Sequence, residues 1–332
     1  MKLNALAILE NDSASEVFGP KAMVALANRV TLVAPRLAPP ALDSTALPLE
    51  TVELLFTGWG FPTLDVAILD RFPRLQAVFH AAGSVKRLVS PAFWERGIRI
   101  TSAARMNAIP VAEFTFAQII FCLKHGWQRT FEVRAGTHFR KETPLMPGAY
   151  GSTVGLISLG HTGRLVAERL RTLDVEVIGF DPYLERAEAH ALGIDLCSLD
   201  DLFRRAHVVS CHTPLLPETT GMIAGRHFSA MRPGASFINT ARGAVVRESE
   251  MLAVLRERPD LFAVLDVTDP EPPLPDSLVL RLPNVVVTPH IAGSLGRECQ
   301  RMGQMMIDEL DRYLAGVPLE GEIRPVQLPF VA

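Results

Sequence analysis

The chain has 332 residues, with 33 Lys and Arg against 36 Asp and Glu, for a formal charge of −3. At about 150 residues per domain this length favours two domains, each large enough to bury a core. A hydrophobic content of 48% with 21% charge excludes a disordered chain, and near-neutrality argues against a nucleic-acid or polybasic membrane binder.

In chain order, Leu3 to Leu9, Val30 to Val33, Val52 to Phe56 and Leu75 to Phe79 read as strands, with a helix after Thr63, whose hydroxyl can cap it. These describe a smaller α/β domain. The first run stops at Glu10, before any plausible cleavage site, and no apolar stretch is expected to approach the roughly 18 residues of a membrane span. Ile109 to Leu123 reads as a long apolar helix with Pro110 in its first turn, connecting the domains.

From Thr153 onward, Thr153 to Ile157, Val175 to Phe180, His207 to Ser210, Ser236 to Asn239, Phe262 to Val267 and Val285 to Thr288 read as buried strands. Val166, Leu170 and Leu173 mark a helix between the first two, and Leu252 and Leu255 mark another. Such alternation is the βαβ pattern of a doubly wound parallel sheet covered on both faces. After Gly293, Met302, Met306, Leu310 and Tyr313 share one helical face, with no further strand expected, so that helix should pack back on the first domain with its methionines as core filler. Cys122, Cys197, Cys211 and Cys299 lie far apart with no C-x-x-C spacing. They suggest neither a disulfide framework nor a metal site, and a reducing cytoplasm fits.

The turn Ser158-Leu159-Gly160-His161-Thr162-Gly163 follows the first strand of this series and opens its first helix. Set against G-x-G-x-x-G, it keeps the second and third glycines and puts Ser158 at the first. The second glycine lets backbone approach a pyrophosphate, the third lets helix pack on strand, and the helix N-terminus attracts negative charge. A serine serves at the first position if its φ is negative. Asp181 ends the next strand, 18 residues after Gly163, where a carboxylate can accept from both ribose hydroxyls and repel a 2′-phosphate. NAD is therefore expected over NADP, although Arg164 and Arg186 lie nearby. An ordinary turn and a cap before Pro182 are the structural alternatives.

In an open parallel sheet, ligands bind at the carboxyl ends of the strands. Three such ends carry unusual chemistry: Asn239-Thr240-Ala241-Arg242-Gly243, Asp266-Val267-Thr268-Asp269-Pro270-Glu271-Pro272 and Thr288-Pro289-His290-Ile291-Ala292-Gly293. Arg242 offers a planar fork that can bind a carboxylate and polarise an adjacent carbonyl. His290 can give or take a proton near neutrality, and Glu271 can fix which ring nitrogen faces a substrate. Singly, these are an ion-pair partner, a structural histidine and a solvated turn residue. Together they form a catalytic constellation.

These segments, with Val111-Ala112-Glu113, His212-Thr213-Pro214-Leu215 and Glu218-Thr219-Thr220, resemble the NAD-dependent D-isomer-specific 2-hydroxyacid dehydrogenases over most of the chain. The resemblance implies a Rossmann nucleotide-binding domain, residues 106–293, inserted into a smaller flavodoxin-like substrate domain, residues 1–105 plus 294–332, and a homodimer formed largely through the nucleotide domains. It makes Arg242 the substrate-binding arginine, Glu271 the histidine partner and His290 the acid/base, with Arg242 and His290 both at the substrate and His290 beside the cofactor. It places Ser158 through Gly163, Asp181, His212, Thr213, Pro214, Thr240, Ala241 and Asp266 at the cofactor, with Asp266 on the nicotinamide carboxamide or, alternatively, in a capping role. Ala82-Gly83-Ser84 resembles the loop whose amides hold the substrate carboxylate, but Lys86-Arg87 replaces the usual asparagine-containing continuation. Trp59 and Arg105 are further candidates for the cleft mouth, against packing or surface roles.

The expected activity is hydride transfer between NAD(H) and a small D-2-hydroxy or 2-keto acid, as in glyoxylate and hydroxypyruvate reductases. A phosphite dehydrogenase and a non-catalytic NAD-sensing co-repressor share the same triad and stand as alternatives. Neither nucleic acid nor membrane is an expected partner.

Overall fold

The computed structural model describes residues 2–10, 16–136 and 145–330. The chain divides into two units, Met1–Asn107 with Ser294–Ala332, and Ala108–Gly293.

In the first unit, β1 (Asn4–Ile8), β2 (Thr31–Leu32), β3 (Leu54–Thr57), β4 (Ala77–His80) and β5 (Arg99–Ser102) form a parallel sheet in the order β5-β4-β3-β1-β2. Read from the other edge this is 2-1-3-4-5, the flavodoxin-like order. Side chains alternate between two apolar layers: Ala5, Ala7, Phe56 and Phe79 on one face, Leu6, Ile8, Leu55 and Val78 on the other. The helix Cys299–Ala315 covers the first face with Met302, Met306 and Leu310, the core role expected of those methionines. It sits so close that a methyl on Gly303 would come within 1.9 Å of the Val17 carbonyl.

Several local expectations change here. A strand does follow that helix: β13 (Glu322–Ile323) runs antiparallel to β5. It is anchored by the buried Glu309, whose carboxylate accepts the amides of Glu320 at 3.1 Å and Gly321 at 3.0 Å. β5 itself is absent from the expected strands. The helix Val66–Asp70 is capped by Asp65, which accepts from the Ile68 amide at 3.0 Å, while the Thr63 hydroxyl donates instead to the Arg87 carbonyl.

The second unit holds β6 (Ser152–Ile157), β7 (Val175–Phe180), β8 (Asp195–Leu196), β9 (Val208–Cys211), β10 (Ser236–Asn239), β11 (Phe262–Leu265) and β12 (Val285–Val287). All pair in parallel, in the order β12-β11-β10-β9-β6-β7-β8. Counted from β6 this is the doubly wound order 3-2-1-4-5-6 with one strand added, reversing direction between β6 and β9. Every residue of β6, β9, β10 and β11 is buried, as a sheet covered on both faces requires. Phe237 and Ala263 face one layer, Ile238 and Val264 the other.

The helix Ala104–Leu123 starts earlier than expected and carries Pro110 inside it, so the Met106 carbonyl lacks the amide that would ordinarily bond it four residues on. Its length and mean hydropathy of 1.5 would suffice to cross a membrane, contrary to expectation. Ala112, Ile119, Cys122 and Leu123 instead pack with Val154 and Leu156 in the second unit's core.

His80, at the end of β4, is 5% exposed, and burial pushes its pKa down to about 4. A histidine held neutral in the folded state but free to protonate near 6.5 when unfolded stabilises fully above 6.5, and that stability is lost as pH falls toward 4. Urea denaturation at pH 7 and pH 5 should show a loss of about 2 kcal/mol from this group, absent in His80→Gln.

Candidate active site

The proposed site residues of the second unit all lie just past the carboxyl ends of its parallel strands. At the end of β10, Asn239 folds the chain into a turn: its Oδ1 accepts from the Ala241 amide and its Nδ2 donates to the Arg242 carbonyl, both at 3.0 Å. This presents the half-buried Arg242, whose Nη1 donates to the Ala241 carbonyl at 2.7 Å. The next residue, Gly243, lies against the loop after β11: a methyl there would come within 2.1 Å of the Thr268 backbone. The loops carrying Arg242 and Glu271 are therefore in backbone contact.

Past β12, His290 adopts φ +55, a left-handed conformation uncommon outside glycine. Asp266, 2% exposed at the end of β11, holds it there. One carboxylate oxygen of Asp266 accepts from the Thr288 hydroxyl at 2.5 Å and the Ile291 amide at 2.9 Å, and the other from the Ala292 amide at 2.9 Å. Its backbone carbonyl accepts the His290 amide at 3.0 Å. Thus held, the imidazole places Nδ1 2.5 Å from Glu271 Oε1, with the two side chains 48% and 41% exposed. Neutral imidazole bonded to a carboxylate through Nδ1–H leaves Nε2 as the outward-facing atom. Both oxygens of Asp266 already serve the loop, which is the capping alternative; any nicotinamide contact would share one of them. Asn239 and Thr288 were not singled out from sequence, although each is a polar residue closing an apolar strand.

At the other end of the sheet, Ser158 has φ +69, so the expected negative φ is wrong. The serine itself adopts the left-handed turn, held by its amide to the Phe180 carbonyl at 2.8 Å and by its hydroxyl 2.9 Å from Thr213 Oγ1. The turn is tight because Gly163 faces the Ser158 carbonyl, which an added methyl would meet at 2.2 Å. His161 and Thr162 begin the helix His161–Leu170. Asp181 accepts the Leu159 amide at 2.7 Å and the Tyr183 amide at 2.9 Å. Arg164 is committed to the Leu159 carbonyl and Glu188.

The family model for the NAD binding domain of D-isomer specific 2-hydroxyacid dehydrogenases matches residues 116–292. The chain belongs to this family. An (S)-sulfolactate dehydrogenase of Chromohalobacter salexigens is 31% identical over 274 residues, covering 80% of this chain and 88% of that protein. A D-3-phosphoglycerate dehydrogenase of Archaeoglobus fulgidus is 30% identical over 260 residues, 78% of this chain and 49% of its own length. The chain spans about half the length of the phosphoglycerate dehydrogenases it matches. A solved structure from Thermus thermophilus has a TM-score of 0.77 at 28% identity, covering 96% of this chain and 100% of that one.

The residues of this family member fit NAD. Gly160 has φ −72 and nothing within 4 Å of where a side chain would begin, so neither backbone nor packing demands glycine there. What the missing side chain leaves is open room at a helix N-terminus for a pyrophosphate. Beside Thr213, burial pushes His212 down to about 4, and its Nδ1 is a buried polar atom with no partner among the described residues, while its Nε2 lies 3.1 Å from Ser210 Oγ. Such an orphan is what a bound polar group would satisfy. Pro214 follows on the same strand end, and Thr240 lies two residues before Arg242, its hydroxyl 2.9 Å from Thr115 Oγ1.

Of the remaining candidates, Ala82-Gly83-Ser84 lies in the first unit, on the loop after β4. Lys86 is half-buried there, Trp59 packs against the first unit's core, and the Arg105 guanidinium lies 3.9 Å from Glu320.

Gly160→Ala separates ligand approach from folding. Urea denaturation should show stability within about 1 kcal/mol of wild type, while fluorescence titration should show NADH affinity at least about tenfold weaker, a loss of about 1.4 kcal/mol.

Proposed function

We propose that this protein is an oxidoreductase transferring hydride between NAD(H) and a small D-2-hydroxy acid or its 2-keto acid. The observation that carries this reading is the His290–Glu271 pair, 2.5 Å apart, at the two strand ends that succeed Arg242's in the sheet. When bound, the nicotinamide donates or accepts the hydride. The Arg242 fork binds the substrate carboxylate and draws electron density from the adjacent carbonyl. As hydride reaches the carbonyl carbon, His290 delivers a proton from Nε2 to the oxygen; oxidation removes the same proton. Glu271 keeps Nδ1–H engaged and so holds Nε2 toward the substrate. Asp181, at the end of β7, accepts ribose hydroxyls and disfavours a 2′-phosphate.

The names of two relatives favour a three-carbon acid with a second anionic group, phosphate or sulfonate, on its third carbon. Glyoxylate and hydroxypyruvate are the alternatives that lack this second anionic group. A homodimer in the cytoplasm completes the proposal; the free cysteines Cys122, Cys197, Cys211 and Cys299 support a reducing compartment.

Purified protein should oxidise NADH in the presence of at least one of glyoxylate, hydroxypyruvate, 3-phosphohydroxypyruvate or 3-sulfopyruvate. His290→Ala should lower kcat by about 10²- to 10⁴-fold with NADH affinity within threefold of wild type, since acid/base catalysis contributes about that much. Arg242→Lys should raise KM by about tenfold or more, because a point charge replaces a bidentate fork. Unchanged turnover in His290→Ala would remove the assigned acid/base. Binding of NADH with no turnover of any acid tested would favour a sensor over an enzyme.

A further inference from the structure

Glu271 stands on a stretch of chain with few anchors. Pro270 and Pro272 on either side of it have no N–H to give. Of the amides of Val267, Thr268, Asp269 and Glu271, only that of Asp269 donates to an acceptor among the described residues. That acceptor is Glu248 Oε2, at 3.1 Å.

Glu248 opens the helix Glu248–Glu257, which follows the turn that presents Arg242. The turn and the loop after β11 are pressed together: a methyl on Gly243 would come within 2.1 Å of the Thr268 carbonyl and 2.7 Å of the Asp269 nitrogen. A carboxylate in a first helical turn ordinarily serves the helix itself, whose N-terminus favours negative charge. In the same turn Glu250 accepts the Gly225 amide at 2.8 Å and lies 3.2 Å from Arg247, whereas the half-buried Glu248 reaches across to Asp269. Burial pushes the Glu248 carboxyl above its ordinary range and the Asp269 charge adds to the rise, while the Asp269 amide opposes it. A neutral carbonyl of the same reach therefore suits this spot. Beside it Thr268, 5% exposed, donates through Oγ1 to the Pro270 carbonyl at 2.8 Å and closes a small ring around Asp269. Glu271 follows directly after Pro270, with Oε1 on His290 Nδ1.

We propose that Glu248 is a positioning residue which, with Thr268, holds the loop after β11 so that Glu271 meets Nδ1 of His290. This rests on the acid/base reading of that pair and adds what sets the pair's geometry. Glu248 acts through the Asp269 backbone, so its loss should slow the proton transfer and leave substrate and cofactor binding alone.

The test compares wild type with Glu248→Met, which keeps the stem and the helix propensity but puts a poor acceptor opposite the Asp269 amide, and with Glu248→Gln, which keeps a carbonyl oxygen there. For the keto acid that wild type reduces, kcat should fall about 10- to 100-fold in Glu248→Met with KM and NADH affinity within about threefold, because a displaced catalytic group costs rate and not binding. Glu248→Gln should recover most of that loss. In a Glu271→Ala background, Glu248→Met should change kcat by less than about twofold, since residues acting through one contact are not additive. A second readout needs no turnover. In NMR spectra of protein with isotope-labelled imidazole nitrogens, the His290 signals, identified by their absence in His290→Ala, should report the Nδ1–H tautomer in wild type and Glu248→Gln and a mixture of tautomers in Glu248→Met. Should Glu248→Met not fold, Thr268→Val, which keeps the shape and removes the bond to Pro270, should lower kcat at least about threefold and mix the tautomers in the same way. Unchanged kcat in the folded variant, a tautomer that does not respond to it, or a full further loss in the Glu271→Ala background overturns the proposal while the oxidoreductase reading stands. If wild type reduces no keto acid yet the tautomer follows Glu248, the reaction falls and the positioning role survives. If neither turnover nor a Glu248-dependent tautomer is found, both are overturned.

Discussion

A single buried carboxylate governs the turns beyond β11 and β12 in the second unit. His290 sits at φ +55, a conformation that costs a non-glycine residue about 1–3 kcal/mol unless its surroundings impose it. Asp266 imposes it, gathering the Thr288 hydroxyl, the Ile291 and Ala292 amides and, through its own carbonyl, the His290 amide. Without that grip the chain beyond β12 would relax into an ordinary extended or helical region, and the imidazole would leave Glu271. Asp266 can act this way because it is the first residue past β11, and β11 and β12 are neighbours in register.

The same logic runs along the sheet. Parallel strands all end on one edge, so each turn beyond them adds a polar residue to a common line without any polar group in the layers beneath. Arg242, Glu271 and His290 occupy one half of that edge, while Ser158, Gly160, Asp181 and His212 occupy the other. The apolar strands make this arrangement stiff, and the turns make it specific.

Much of this was legible in the residues because burial on both faces writes itself as unbroken apolar runs. Val175–Phe180 and Ser236–Asn239 were expected with the bounds they have. The pairing of His290 with Glu271 was legible too, since both follow strands that a βαβ series makes neighbours. β5 escaped because its four residues, Arg99–Ser102, are mostly polar and lack an apolar run. The helix after Thr63 takes Asp65 as its cap instead of that threonine, an Asp being a strong acceptor at the N-cap.

Backbone dihedrals were the least readable feature. Ser158 takes a positive φ because its amide bonds Phe180 and its hydroxyl meets Thr213, contacts made by segments 22 and 55 residues away.

The most direct test of the central claim is a crystal structure of the protein with NADH and oxalate, an inert mimic of a 2-keto acid. The account predicts Nε2 of His290 within about 3 Å of an oxalate oxygen, Nδ1 still on Glu271, and the Arg242 guanidinium on the oxalate. Oxalate bound away from Arg242, or an imidazole released from Glu271 and turned from the anion, would contradict it.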